Sequence, residues 1–281
     1  MAEDDSQGLL DRTADALEEL LPNYRYILYV GVGVLVASYI GVYLVDVVNV
    51  FGLRSLFESF TVPALWDYMF TEAGPIEMIQ WLFLLLLVTT SGYLAKRLGE
   101  EGRDKESMFW TLFFVGSVLM FLEDWGNIRH ILFRQTFSLS WTMVNTMETV
   151  YFGLIALFPT VAVVRYGKHV LTKRTVVKLM VLGFVFYGSA AFLSGPLEVT
   201  EYDWMIGDGM YNAMTRAGGE ELALLYEEAD ERILEMEEER GITMMDVRTR
   251  MVDYLLEESL ELLGATMLLA SALAYKGYES L

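Results

Sequence analysis

The stretch IEMIQWLFLLLLVTTSGYLAKRL, residues 76–98, is long and apolar enough to cross a lipid bilayer. A helix rises about 1.5 Å per residue, so roughly 20 apolar residues span a hydrocarbon core of about 30 Å. A core helix of a soluble protein is usually shorter and carries a polar face. This stretch therefore predicts a membrane-spanning helix.

Similar stretches recur along the chain and predict an all-α integral membrane bundle of about six transmembrane helices. The candidate spans are residues 26–48, 76–98, 107–128, 142–164, 175–196 and 254–275. Between the first two, residues 50–74 mix apolar and charged side chains and predict an interfacial or re-entrant segment. The expected organisation is an acidic N-terminal helix at 1–24, a five-helix membrane region at 25–196, an acidic helical segment at 197–252, and a final transmembrane helix with its tail at 253–281.

The lysines and arginines of the short loops predict the orientation of this bundle. The loops after the second and fourth spans are rich in basic residues, whereas the short loops on the opposite side carry few. Because basic loops face the cytoplasm, both ends of the chain are expected there, and segment 197–252 is expected outside. The acidic start MAEDDSQ lacks the positive region of a secretory signal, so the first apolar stretch is expected to be retained.

The formal net charge of −19 lies mostly in residues 1–24 and 198–253, which the predicted topology puts on opposite sides of the membrane. Acid on both faces is typical of solvation in high salt and predicts a cell-membrane protein of a halophilic prokaryote. Nucleic-acid binding is disfavoured, because it needs a basic patch. The chain has no cysteine, which excludes disulfides, thiolate metal sites and cysteine nucleophiles.

Four predicted spans carry acids at a similar depth in the outer half of the membrane. Counted from the basic residue at the inner end of each helix, these acids lie at heights of roughly 22–28 Å. They predict an outward-opening cavity lined by Glu77, Glu123, Glu148, Glu257 and Glu261. The mouth is expected to carry Asp124, Asn127, His130 and Glu258, and Gln80 and Asn145 lie beside the lining acids.

Ionised groups at this depth need water, a cation or protons to neutralise them. The leading hypothesis is a protein of the lipid bilayer that binds or conducts a cation or protons. One alternative is a hydrolase acting on lipid or peptide at the outer leaflet, with a divalent metal ion held by residues from the set Glu123, His130, Glu148, Glu257 and Glu261. The HExxH and GxSxG patterns of common hydrolases are missing. The other alternative is a structural or partner-binding membrane subunit.

The inner half of the predicted membrane region is mostly apolar. Its polar groups are the hydroxyls of Thr89, Thr90, Ser91 and Ser117. The sequence therefore shows no continuous polar path from the carboxylates to the inner side.

Overall fold

A computed structural model describes residues 23–57, 59–126, 141–193, 201–240 and 244–279, and at residues 141–149 and 201–204 it describes chiefly the backbone. Every regular element in these ranges is a helix, which confirms the all-α prediction for them. The α-helices are α1 (Tyr24–Val42), α2 (Leu65–Phe70), α3 (Pro75–Glu100), α4 (Asp104–Gly126), α5 (Trp141–Val161), α6 (Gly167–Val170), α7 (Arg174–Phe192), α8 (Glu201–Arg240), α9 (Val247–Arg250) and α10 (Glu258–Glu279). A 3₁₀ segment (Val50–Phe57) and three π-helical segments (Tyr43–Val47, Ala162–Tyr166 and Met251–Glu257) connect or extend them.

Five helical segments of the described chain have the length and apolar character of membrane spans. They are Tyr24–Val47, Leu65–Glu100, Asp104–Gly126, Val150–Val170 and Arg174–Phe192. These segments overlap the first five predicted spans. The N-terminal helix expected at residues 1–24 lies almost entirely outside the described residues.

The last helix, α10, lies at the centre of the bundle and packs against α7, α3 and α1. Its side chains are buried almost continuously from Leu262 to Tyr275. Glu258 and Glu261 in its first turn lower its mean hydropathy, and it is not among the five most apolar segments. The helix with the least apolar sequence among the predicted spans is thus the one with the most protein around it.

Contacts at both ends of α10 define its direction relative to α3 and α4. At its C-terminal end, Arg103 donates to the Tyr275 hydroxyl at 3.2 Å, close to the start of α4. At its N-terminal end, Glu261 accepts from Gln80, close to the start of α3. Consequently α10 runs antiparallel to α4 and parallel to α3, and the carboxylates gather at the end opposite the chain's C-terminus.

Glycines allow α7 and α10 to approach closely. A Cβ atom added at Gly264 would lie 2.9 Å from the backbone nitrogen of Tyr187, and one at Gly183 would lie 3.0 Å from that of Leu268. Small residues at such positions let helix backbones pack against each other in membranes. This close packing brings Tyr187 against the first turns of α10.

The acidic helix α8 packs over the end of the bundle that carries the carboxylates. It bends at Gly219, whose φ of 74° is a conformation that glycine adopts readily. Beyond the bend, α8 buries one face at the spacing i, i+4, i+7 and i+11, made of Leu222, Tyr226, Ala229 and Ile233. We call the part of α8 from Gly219 onward, together with α9, the acidic cap.

The acidic cap is attached through a few polar contacts. Trp66 of α2 donates its indole N–H to the Tyr226 hydroxyl at 3.0 Å. Arg54 donates to Glu221 at 3.0 Å, and its other terminal nitrogen donates to the carbonyl of Asp46 at 2.6 Å. Within the cap, burial raises the pKa of Asp230, while its hydrogen bond from the Val247 N–H opposes that rise. The acidic segment therefore has a buried attachment face beside its exposed glutamates.

Candidate functional site

One amide joins carboxylates from two other helices. Gln80 of α3 is fully buried. Its Nε2 atom donates to Asp124 Oδ2 of α4 at 2.6 Å and to Glu261 Oε2 of α10 at 2.7 Å. A glutamine amide has two N–H donors, so both are used here. Three helices therefore meet at a single side chain.

A fourth helix contributes a phenol to the same carboxylate. Tyr187 of α7 donates its hydroxyl proton to Asp124 Oδ2 at 2.5 Å. Asp124 thus accepts from two donors that belong to different helices, and Gly264 leaves the space in which Tyr187 reaches it.

Further buried acids surround this centre. Glu77, Glu123 and Glu258 are between 6% and 8% exposed. Glu77 accepts the backbone N–H of Ala73, from the turn before α3. Together with Gln80, Asp124, Tyr187 and Glu261, these residues form what we call the carboxylate cluster.

Two oxygen atoms of the carboxylate cluster lack hydrogen-bond partners within the described part of the chain. They are Oε2 of Glu258 and Oε1 of Gln80, and both are buried. Other carboxylates, including Glu261 and Glu77, lie close enough to Glu258 to repel it electrostatically. A buried acceptor without a donor is costly, and like charges at this spacing repel. A proton or a cation held among these oxygens would relieve both costs.

The predicted site residues divide into three groups. Glu77, Gln80, Glu123, Asp124, Glu258 and Glu261 come together at one end of the bundle. Glu257 lies in the π-helical turn before α10 and is half-buried. Asn127 and His130 lie outside the described residues, as do the side chains of Asn145 and Glu148.

The structure describes the surroundings of two residues that the sequence analysis expected at the mouth of the cavity. Asp124 is the carboxylate on which two donors converge, and Glu258 is buried. Tyr187 was not predicted at all. Its sequence signal is weak, because a tyrosine in an apolar helix can equally face lipid headgroups.

The metal-site prediction stays untested. In the ranges that the structure describes, there is no group of three or more histidines, aspartates or glutamates arranged to hold a metal ion. Two members of the predicted ligand set, His130 and Glu148, fall outside the described side chains. The hydrolase alternative therefore gains no support from the described part of the chain.

The hydroxyl groups beyond the carboxylate cluster are engaged within their own helices. Thr90 and Ser91 donate to the carbonyls of Leu86 and Leu87, four residues earlier. Thr89 and Ser117 donate in the same way, to the carbonyls of Leu85 and Phe113. These hydroxyls therefore do not extend the cluster toward the other end of the bundle.

An apolar groove adjoins the carboxylate cluster. It has a volume of about 520 Å³ and lies between α4, α5 and α7. Glu123, Asp124 and Tyr187 line one part of it, and residues such as Phe152, Pro159 and Phe184 line the rest. The groove therefore joins a hydrocarbon-like surface to the polar cluster.

Comparisons with protein families, with curated proteins and with solved structures find no match for this chain. The class of protein is therefore defined by the fold and the site alone. It is an all-helical protein with membrane-type helices, whose central helix carries part of a buried carboxylate cluster.

Proposed function

We propose that this is a six-helix membrane protein that reversibly binds a proton or a single cation in an outward-facing carboxylate cluster. The observation that carries the proposal is the Gln80 amide, which donates to Asp124 and Glu261 at once. An amide in this position holds two carboxylates near each other without supplying a positive charge. A positive charge bound beside them would offset the repulsion between these carboxylates.

The proton is the favoured ligand. Asp124 and Glu261 are bridged by one neutral donor group, the Gln80 amide, an arrangement in which one added proton makes a partly protonated pair. The buried Oε2 of Glu258, which lacks a donor in the described part, is a further acceptor for a shared proton. Sodium and potassium also prefer oxygen ligands and are therefore tested beside the proton.

Binding is favoured over conduction. The hydroxyls of Thr90, Ser91 and Ser117 donate to backbone carbonyls of their own helices, so they are not arranged as a relay. The core between the cluster and the opposite end is filled by large apolar side chains such as Leu84, Leu87 and Phe113. A ligand that enters from the cluster end would therefore leave by the same end.

The count of six spans rests on α10. This helix contacts both ends of the bundle, through Gln80 at one end and Arg103 at the other, which supports a complete crossing. Its acids lie within protein, where Gln80 and the neighbouring helices replace lipid. The loops rich in lysine and arginine then face the cytoplasm, and the acidic cap faces outward. The halophilic source stays a prediction from the net charge.

Infrared spectroscopy of the full chain in liposomes tests the proposal. At pH 7, we expect the carbonyl stretch of a protonated carboxyl group, and this band should shift in D2O. Asp124→Asn and Glu261→Gln should each remove or displace the band. The matched control is Glu239→Gln, an exposed glutamate of the acidic cap, which should leave it unchanged.

Two further outcomes decide between ligands. If sodium or potassium at constant pH removes the band of the wild-type protein, the site exchanges a proton for that cation. A band that is insensitive to both salts supports a site for protons alone. If the wild-type protein shows no such band at pH 7, and neither cation alters the carboxylate bands, the proposed function is wrong.

A further inference from the structure

The apolar groove ends at charged groups. Its lining runs from Phe152 and Ala156 of α5 across to Phe184 and Ala191 of α7, and Glu123 and Asp124 of α4 lie at its polar part. A volume of about 520 Å³ lies within the range of roughly 300–1,000 Å³ that holds small ligands. The groove therefore matches a molecule with a long apolar part and one polar end.

The polar part of the groove determines the chemistry of that end. Glu123 and Asp124 are carboxylates, and the Tyr187 hydroxyl proton already points to Asp124. An anionic head would be repelled by the two acids, and the neutral hydroxyl of an alcohol would gain little from their negative potential. A protonated amine is complementary to them, because it is positive and has hydrogen-bond donors.

We infer that the groove binds a long-chain amine, with its ammonium head at Asp124 and Glu123 and its hydrocarbon chain between α5 and α7. The inference rests on the proposed function, since it makes the ammonium group the cation that the cluster accepts. It adds the class of ligand, a cationic amphiphile, and the path by which the ligand reaches the cluster from the lipid.

Two glycines on the groove walls allow the chain to fit. A Cβ atom added at Gly153 of α5 or at Gly188 of α7 would meet no atom within 4 Å. Both glycines line the groove. A side chain at Gly153 would therefore start in open space on the groove wall and reduce the room for a bound chain.

Photolabelling of the full chain in phosphatidylcholine liposomes tests this inference. The probe is hexadecylamine that carries a diazirine at the far end of its chain. We expect crosslinks to concentrate in residues 152–164 and 184–192. Excess hexadecylamine should reduce labelling about tenfold, whereas hexadecanol and palmitate should compete far less well.

Variants separate the groove from ordinary lipid contact. Gly153→Leu should abolish most of the labelling. Gly33→Leu is the matched control, because Gly33 of α1 also has no atom within 4 Å of an added Cβ and lies away from the groove. It should leave labelling unchanged. Asp124→Asn should reduce labelling by the amine about tenfold, because the head loses a charged partner.

Three results would overturn the inference. They are labelling spread evenly over α1 and the other exposed helices, labelling that survives Gly153→Leu, and competition by palmitate as strong as that by the amine. Each of these leaves the infrared test of proton binding intact. Conversely, groove labelling without any infrared band or cation response would sustain the amphiphile site and reject proton binding.

Discussion

Replacing Gln80 with methionine should destabilise the bundle by about 1–3 kcal/mol. Methionine keeps the length and flexibility of glutamine but has no N–H group to donate. The substitution leaves Asp124 and Glu261 facing each other without the amide between them. Hydrogen bonds between membrane helices average about 0.6 kcal/mol and reach roughly 1.7, and Gln80 makes two of them.

The assay is reversible unfolding in mixed micelles with increasing dodecyl sulfate, followed by the helical circular dichroism signal. The matched control is Thr90→Val, on the same helix. Thr90 is equally buried, but its hydroxyl donates to Leu86 of its own helix, so its loss should cost well under 1 kcal/mol. The difference between the two variants isolates the contacts between helices.

A double-mutant cycle identifies the partner of Gln80. In the Glu261→Met background, which removes both acceptor oxygens, Gln80→Met should cost less than in the wild-type protein, with a coupling of at least about 0.5 kcal/mol. A Gln80→Met variant no less stable than Thr90→Val would refute the reasoning. Costs that simply add in the double variant would show that Gln80 and Glu261 do not interact.

Three other predictions test the packing around the site. Arg54→Met should lower the free energy of unfolding by about 1–3 kcal/mol, because it leaves the carbonyl of Asp46 without its donor. Glu221→Gln should lower it by under about 1 kcal/mol, because Glu221 is 74% exposed. Chemical unfolding measures both changes. Gly264→Ala should lower the free energy of unfolding by about 1–3 kcal/mol, because its Cβ would lie 2.9 Å from the backbone of Tyr187. Gly33→Ala should be close to neutral, because an added Cβ there meets open space. Equal costs in the same measurement would contradict the close packing of α7 and α10. Gly99→Cys with Ser107→Cys should form a disulfide on mild oxidation of this cysteine-free chain, because the two Cβ atoms would be 3.8 Å apart. Gly99→Cys with Thr111→Cys should not form one. Gel mobility after proteolysis between the two cysteines distinguishes a crosslinked chain from an open one.

A common level for several carboxylates along the helices follows from the sequence because helix geometry is regular. The rise per residue is fixed, and basic residues mark one end of each helix, so counting places Glu77, Glu123 and Glu261 at a similar level. The structure brings these acids to one end of the bundle. Counting residues does not determine whether the acids of a helix face a neighbouring helix or the outside of the bundle.

The direction depends on how the helices pack. Glu123 and Asp124 are neighbours in sequence and point about 100° apart around α4. Predicting that Asp124 is the partner of Gln80 therefore requires knowing how α4 is rotated about its own axis. The contribution of Tyr187 depends on the absence of a side chain at Gly264, on another helix. Such pairings between distant positions leave no trace in one sequence.

The acidic segment shows how composition can conceal a pattern. Its glutamates predict a solvated helix, and many of them are exposed. The apolar residues Leu222, Tyr226, Ala229 and Ile233 nevertheless fall on one helical face and are buried against the bundle. Their spacing is visible in the sequence, but the surfaces that α8 packs against come from distant parts of the chain, namely α9, the π-helical segments Tyr43–Val47 and Met251–Glu257, and Trp66 of α2.

Proton counting on unfolding tests most directly whether the carboxylate cluster holds a proton. Free aspartate and glutamate ionise near pH 3.9 and 4.3, so any proton held by the cluster at pH 7 is released when the chain unfolds. In weakly buffered micelles at pH 7, the wild-type protein should release about one proton more than the Asp124→Asn/Glu261→Gln variant, with folding of both confirmed beforehand by circular dichroism. Equal proton release from the two proteins would contradict the account.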